Sequence, residues 1–111
     1  MSNEAESLIS EIIFKLDTKI IDKLKNWGKI VQLIIDEESY FVNFQNDLNL
    51  IKGETKSPEF TILCSLLTFK NILNGEINAV EAVASGEVTI NGSLTSALEF
   101  SEIINEVDIN S

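Results

Sequence analysis

The chain has 111 residues, 44% of them apolar, and sets 18 acidic side chains against 8 basic ones for a formal charge of −10. That length predicts one domain over residues 1–111 with enough apolar material for a real core. Eight scattered lysines cannot build the phosphate-tracking stripe that nucleic-acid binding needs, and the same negative field repels anionic membrane surfaces. No run of about 18 apolar residues occurs, so no integral membrane span is expected, and at most transient membrane contact. The start, Met1-Ser-Asn-Glu-Ala-Glu-Ser7, is acidic where a secretory signal is basic and then apolar. The last residues, Asp108 to Ser111, match no peroxisomal or retention tripeptide. The single cysteine fits a reducing compartment, and the expected location is cytoplasmic.

Leu8, Ile9, Ile12, Ile13 and Leu16 recur at helical spacing, and Ile20, Ile21, Leu24 and Trp27 continue the stripe. Asp17-Thr18 predicts a break or second cap, and Gly28 a stop. Lys29 to Ile35 reads as a strand rich in β-branched residues, with Gln32 its only interior polar residue. Asp36 to Ser39 is a polar turn, followed by a strand from Tyr40 to Gln45. In it Tyr40, Val42 and Phe44 alternate with Phe41, Asn43 and Gln45. Asn46-Asp47 predicts a second turn, Leu48 to Leu50 a third strand, and Ile51 to Pro58 a loop. Glu59 to Cys64 alternates again, with Phe60, Ile62 and Cys64 on one side. A helix over Ser65–Leu73 stops at Asn74-Gly75, and a short helix over Ala79–Ala84 follows. A strand over Glu87–Asn91 then leads to a last helix from about Leu94 to Val107. The order predicts an α+β fold with the helices on one sheet face.

Chemistry-bearing residues are few. The chain has no histidine, which removes the usual general base and commonest metal ligand. Cys64 lacks a visible activating partner and alternates with Phe60 and Ile62, which reads as an inert, buried thiol. The Asp36-Glu37-Glu38 run lacks the alternating oxygens and glycine of a calcium loop and reads as a solvated turn. Glu99 and Glu102 fit a wet helix face. No catalytic residue, metal site or cofactor is expected. Scattered serines are the sole support for an esterase.

The stretch Gly86-Glu-Val-Thr-Ile-Asn-Gly-Ser-Leu-Thr-Ser-Ala-Leu-Glu-Phe100 is the most specific in the chain. A two-sided strand (Val88, Ile90) lies between two glycines and runs into Ser93, suited to cap a helix carrying Leu94, Ala97 and Leu98. Upstream stand Phe69, Ile72, Leu73, Gly75, Ala82 and Gly86, and before them Ser57-Pro58-Glu59-Phe60-Thr61-Ile62. In order and spacing these resemble the sterol carrier protein type 2 domain family, most specifically over residues 28–107. Ser93 stands where the family commonly has an acidic or amide residue, and the acidity and the missing peroxisomal address depart from the family's peroxisomal carriers. The resemblance implies a five-stranded, mostly antiparallel sheet with helices packed on one face around an apolar tunnel.

Apolar residues exceed what one half-buried sheet face needs: Ile30, Val31, Leu33, Ile34 and Ile35 make both faces of the first strand apolar. On composition alone the surplus reads as an ordinary core plus a homodimer interface. The resemblance redirects it to a tunnel for a sterol-like, isoprenoid or fatty-acyl ligand. The tunnel-facing residues it implies are Phe41, Phe60, Ile62, Leu66, Phe69, Val88, Leu94, Leu98 and Ile103. Tyr40 or Gln45 would orient a head group, Trp27 would be core or flank the tunnel mouth, and release would follow loosening of the last helix. The alternative in another class is a ligand-free accessory module, for example a helper in quinone or isoprenoid biosynthesis.

Overall fold

The computed structural model describes residues 4–45, 48 and 50–104. Two helices lead the chain, α1 (Glu4–Lys15) and α2 (Thr18–Trp27). The division falls at Asp17, whose carboxylate accepts the Ile20 amide at 2.9 Å and so caps α2. Gly28 closes α2 in the left-handed region at φ 61°, its N–H returning to the Leu24 carbonyl at 2.8 Å.

Strands β1 (Ile30–Ile35) and β2 (Glu38–Asn43) form a hairpin. Its turn is only Asp36-Glu37, with φ of 50° and 71°, the two left-handed residues of a type I′ turn. This corrects the expected four-residue turn: Glu38 and Ser39 already pair with Ile35 and Ile34, so β2 starts and ends two residues early. β3 (Leu50–Lys52) is likewise displaced from 48–50, because its pairing sets Leu50 against Val42 and Lys52 against Tyr40. The expected turn at Asn46-Asp47 lies outside the described residues, as does Val107. β4 (Phe60–Cys64), α3 (Leu66–Leu73), α4 (Ala79–Ser85), β5 (Val88–Gly92) and α5 (Leu94–Ile104) complete the order. Ser65 and Asn78 cap α3 and α4, and the Ser93 hydroxyl accepts the Ser96 amide at the start of α5.

The five strands lie in the order β3-β2-β1-β4-β5, antiparallel except for the β1–β4 pair. This is the α+β architecture expected, with a mixed, mostly antiparallel sheet. Directly paired residues share a sheet face, so the register sorts the side chains. One face carries the rows Val42–Val31–Phe60 and Tyr40–Leu33–Ile62–Ile90. The other carries Phe41–Gln32–Thr61–Asn91. The core forms on the first face, where Val31, Leu33, Tyr40, Val42 and Phe60 pack with Ile9, Leu16, Ile20 and Leu24 of the N-terminal helices and their junction.

Because β4 runs parallel to β1, the chain must cross the sheet between β3 and β4. Gln32 fastens that crossing: buried on the second face, it donates to the Tyr40 and Gly53 carbonyls at 2.9 and 3.0 Å. Its oxygen accepts the Thr55 amide at 2.9 Å. The lone interior polar residue of β1 is thus a staple for the crossover, its amide holding β2 through Tyr40 and the loop through Gly53 and Thr55.

Gly92 sits where β5 turns into α5, at φ 113°, and a Cβ there would lie 2.7 Å from the Glu59 carbonyl and 2.8 Å from the Phe60 Cα. Both neighbours are backbone, so neither can swing away. Gly75, also at positive φ (78°), has open space around the same position. Gly75→Ala should therefore cost only the backbone strain, about 1–2 kcal/mol. Gly92→Ala should cost about 2–4 kcal/mol because steric overlap is added. Urea unfolding of the two variants checks the ranking.

Candidate ligand-binding cavity

The helices do not close fully onto the sheet. A cavity of ≈120 Å³ remains between them, and no polar atom contributes to its wall. α1 and the residue following it supply Ile9, Ile12, Ile13 and Leu16, and α2 supplies Leu24. The sheet side is Val31, Leu33, Val42 and Ile62, with Phe44 just past β2; α3 adds Phe69 and Leu73, and α5 adds Phe100. At ~24 cal/mol per Å³, retaining such a void costs on the order of 3 kcal/mol. Its volume matches roughly one benzene ring, not an acyl chain.

One end of the cavity is closed by aromatic rings. Trp27 meets Phe44, Phe60 and Phe100 with ring centroids 5.7, 6.1 and 5.3 Å apart, and Phe100 also meets Phe44 and Phe60 at 5.7 and 5.8 Å. Trp27 is therefore both core and a neighbour of the cavity wall, since Phe44 and Phe100 line it. Its indole Nε1 donates to Glu99 Oε1 at 3.2 Å, which holds α5 beside α2.

A second tether fixes the start of α5. The buried Ser96 hydroxyl donates to Glu59 Oε2 at 2.5 Å, and Lys29 Nζ lies 3.5 Å from the same oxygen and 3.4 Å from Ser96 Oγ. The Ser96 hydrogen bond holds the Glu59 carboxyl below its usual value; burial opposes it, and the charge and hydrogen bond of Lys29 add to the lowering. The contribution of this cluster is present above about pH 4.5 and is lost as pH falls toward the lowered value.

The residues expected to face a tunnel separate into groups. Ile62 and Phe69 line the cavity. Phe60 is buried in the aromatic knot, and Leu66 packs half-buried against the core. Val88 is buried at the far end of the same sheet face, opposite Cys64. Ile103 borders a separate open groove between α2 and α5, together with Lys23, Asn26, Trp27, Glu99 and Glu102. Phe41 lies on the opposite sheet face, paired with Gln32. Leu94 and Leu98 stand 62% and 60% exposed, because Ser96 and Phe100 face inward and set the rotation of α5. Ile12, Ile13, Leu73 and Phe100 are lining residues that the pattern did not single out; the paired isoleucines were the signal available.

The head-group candidates do not meet the cavity. Tyr40 is fully buried, and its hydroxyl donates to Glu38 Oε2 at 2.5 Å. Gln45 is exposed, its N–H bonded to Asn43 Oδ1. Asp36 accepts the Leu66 amide at 3.0 Å, a structural task at the base of α3. Among the described residues no three histidine, cysteine, aspartate or glutamate side chains gather as a metal site. No helix among them is long and apolar enough to cross a membrane.

The fold and its interior define a class: a small α+β domain with helices laid over a mixed sheet and an apolar cavity between them. The chain belongs to the SCP-2 sterol transfer family, whose profile matches residues 11–105. The fold is similar to that of sterol carrier protein 2 from Yarrowia lipolytica in its apo form (18% identity, TM-score 0.75), over 99% of this chain and 97% of that one. It is similar to a palmitated SCP2L2 from Aedes aegypti (21% identity, TM-score 0.62), over 85% and 92% of the two chains. It is also similar to the ubiquinone synthesis protein UbiJ-SCP2 (12% identity, TM-score 0.68), over 96% and 94%. Comparison with curated protein sequences gives no match.

Two groups are poised against ionisation. Burial, and then the Asp36 charge, push the Cys64 thiol up to about 11. Burial, and then Glu38, push the Tyr40 phenol up to about 12. Each group has a higher pKa folded than unfolded, so the unfolded chain binds fewer protons between the two values and stability falls as pH rises. For Cys64 that window opens near pH 9 and for Tyr40 near pH 10, the ordinary values of the two groups. Alkaline titration of stability should show a loss from pH 9 upward; Tyr40→Phe should remove the extra loss that sets in near pH 10, leaving the Cys64 part, which runs to about pH 11. At pH 8, native Cys64 should react with iodoacetamide about ten- to a hundredfold more slowly than in denaturant.

Proposed function

We propose that this chain is a single-domain, non-enzymatic, cytoplasmic lipid carrier that holds a sterol-like, isoprenoid or fatty-acyl chain in the cavity beneath α1, α3 and α5. The observation that carries this reading is the cavity itself, retained at a cost to stability and walled only by hydrocarbon and aromatic rings, in a chain of the SCP-2 sterol transfer family. Each buried methylene contributes about 0.8 kcal/mol, so affinity follows chain length and shape. At ≈120 Å³ the space is below the ~300–1,000 Å³ of typical ligand pockets, so loading must widen it. Helices that meet the sheet through half-buried aliphatic side chains can separate with little loss of hydrogen bonding.

The accessory-module reading has one observation in its favour, the likeness over nearly the whole chain to a protein named for ubiquinone synthesis. Under it, the same cavity would hold an isoprenoid tail while another enzyme works on the head.

Native mass spectrometry of the purified protein, followed by organic extraction, tests the carrier reading. The expected result is one co-purifying lipid per chain, or binding of an added fatty acid or sterol with a change in Trp27 emission. Ile62→Trp, which fills the cavity from the sheet side, should weaken that binding by tenfold or more while the protein stays folded. A protein that purifies empty and changes its emission with none of these ligands overturns the carrier reading in favour of a ligand-free module.

A further inference from the structure

The cavity wall offers nothing to a polar head group, so any amphiphile must leave its head at the entrance, where water or a rim residue meets it. The exposure of the lining points to where that entrance lies. Of the six lining residues that are only half-buried, Ile12 and Ile13 stand on α1, and Phe69 and Leu73 on α3. The opposite wall is pinned: α5 is tied to the sheet through Ser96 and Glu59 and to α2 through Trp27 and Glu99. Across the gap between α1 and α3 runs a polar strap, the ion pair of Glu4 at the first residue of α1 with Lys70 on α3. Lys70 follows Phe69 directly and lies one turn before Leu73, so its stem flanks the cavity face of the helix.

We propose that the ligand enters between α1 and α3, and that Lys70 receives the anionic carboxylate head of a fatty acid by exchanging it for Glu4. This rests on the carrier reading and deepens it. The strap suits exchange because both side chains are substantially exposed, 40% and 44%, and a pair so solvated adds little to stability. The incoming carboxylate replaces one oxygen partner of the ammonium with another, so Lys70 stays paired in the lipid-bound state while the exposed Glu4 carboxylate turns to water. A neutral alcohol or sterol head gains nothing comparable there. The assignment also moves the gate from the last helix, where the sequence placed it, to the opposite side of the cavity.

Palmitate and hexadecanol, which differ in the head alone, distinguish the outcomes. Their binding is read from Trp27 emission and by native mass spectrometry. The wild-type chain should bind palmitate about two- to fivefold more tightly than hexadecanol, the strength of one exposed ion pair. Lys70→Met should abolish that preference while leaving hexadecanol unchanged, and Lys70→Arg should retain it. Glu4→Gln should raise palmitate affinity by removing the competitor. Equal binding of the two ligands by the wild type, or a preference that survives Lys70→Met, overturns the proposal and leaves the apolar carrier standing. Binding of neither ligand overturns both.

Discussion

Four aromatic rings govern the geometry of the interior. Trp27 at the end of α2, Phe44 after β2, Phe60 at the start of β4 and Phe100 in α5 all lie within edge or tilted contact of one another or of a shared neighbour. Offset and edge-on pairs of this kind contribute about 0.5–1.5 kcal/mol each beyond their buried area. They come from four segments distant in sequence, so the knot brings both ends of the chain onto the sheet. Rings are also wide and stiff. Where they fill the space between helix and sheet they set a separation that the aliphatic side chains farther along do not fill, and there the cavity remains.

The polar contacts share one logic. Those that join segments far apart in the chain all lie outside the cavity. Gln32 staples the crossover on the far face of the sheet, Ser96 and Glu59 fix the start of α5, and Trp27 with Glu99 fixes its flank. Among the described residues no fully buried side-chain nitrogen or oxygen lacks a partner. Specificity of fold is thus supplied at the periphery of the cavity, which leaves its interior free of groups that would demand a matching ligand.

How far the sequence disclosed this follows from the range of each interaction. Asp17, Ser65, Asn78, Gly28 and Gly86 act within three or four residues of themselves, and the elements they bound fall where the local pattern puts them. The glycine-strand-glycine unit and the residues before it were specific enough to point to the right family. The side each residue faces was another matter. Two residues of slip at β2 came from a turn whose left-handed Asp36 and Glu37 are not the usual glycine and asparagine. Leu94 and Leu98 were read as the inner stripe of α5, yet Ser96 and Phe100 face inward, in a rotation held by the contacts of Ser96 and Glu99. Their partners lie 37 and 72 residues away, beyond any local periodicity. Phe41 fell on the wrong face for a tunnel although its own alternation with Tyr40 and Val42 was correctly seen; grouping it with Phe60 required the register across β1, which only pairing defines.

The same asymmetry explains how a structure so small can hold a void and remain ordered. Everything on the side of β1, β2 and α2 is tightly enclosed, with Leu24, Ile35 and Tyr40 fully buried and Val31 nearly so. On the side of β4 and β5, Phe60 and Val88 are buried at opposite ends of the face, but Ile62, Cys64 and Ile90 stay half-buried although they continue the same rows. Stability is concentrated in one half of the interface, and adaptability in the other. The entrance proposed between α1 and α3 lies away from the contacts of α5 with Glu59 and Trp27. The cost of the empty cavity is then the difference that a bound hydrocarbon removes, which makes occupancy and stability two readings of one equilibrium.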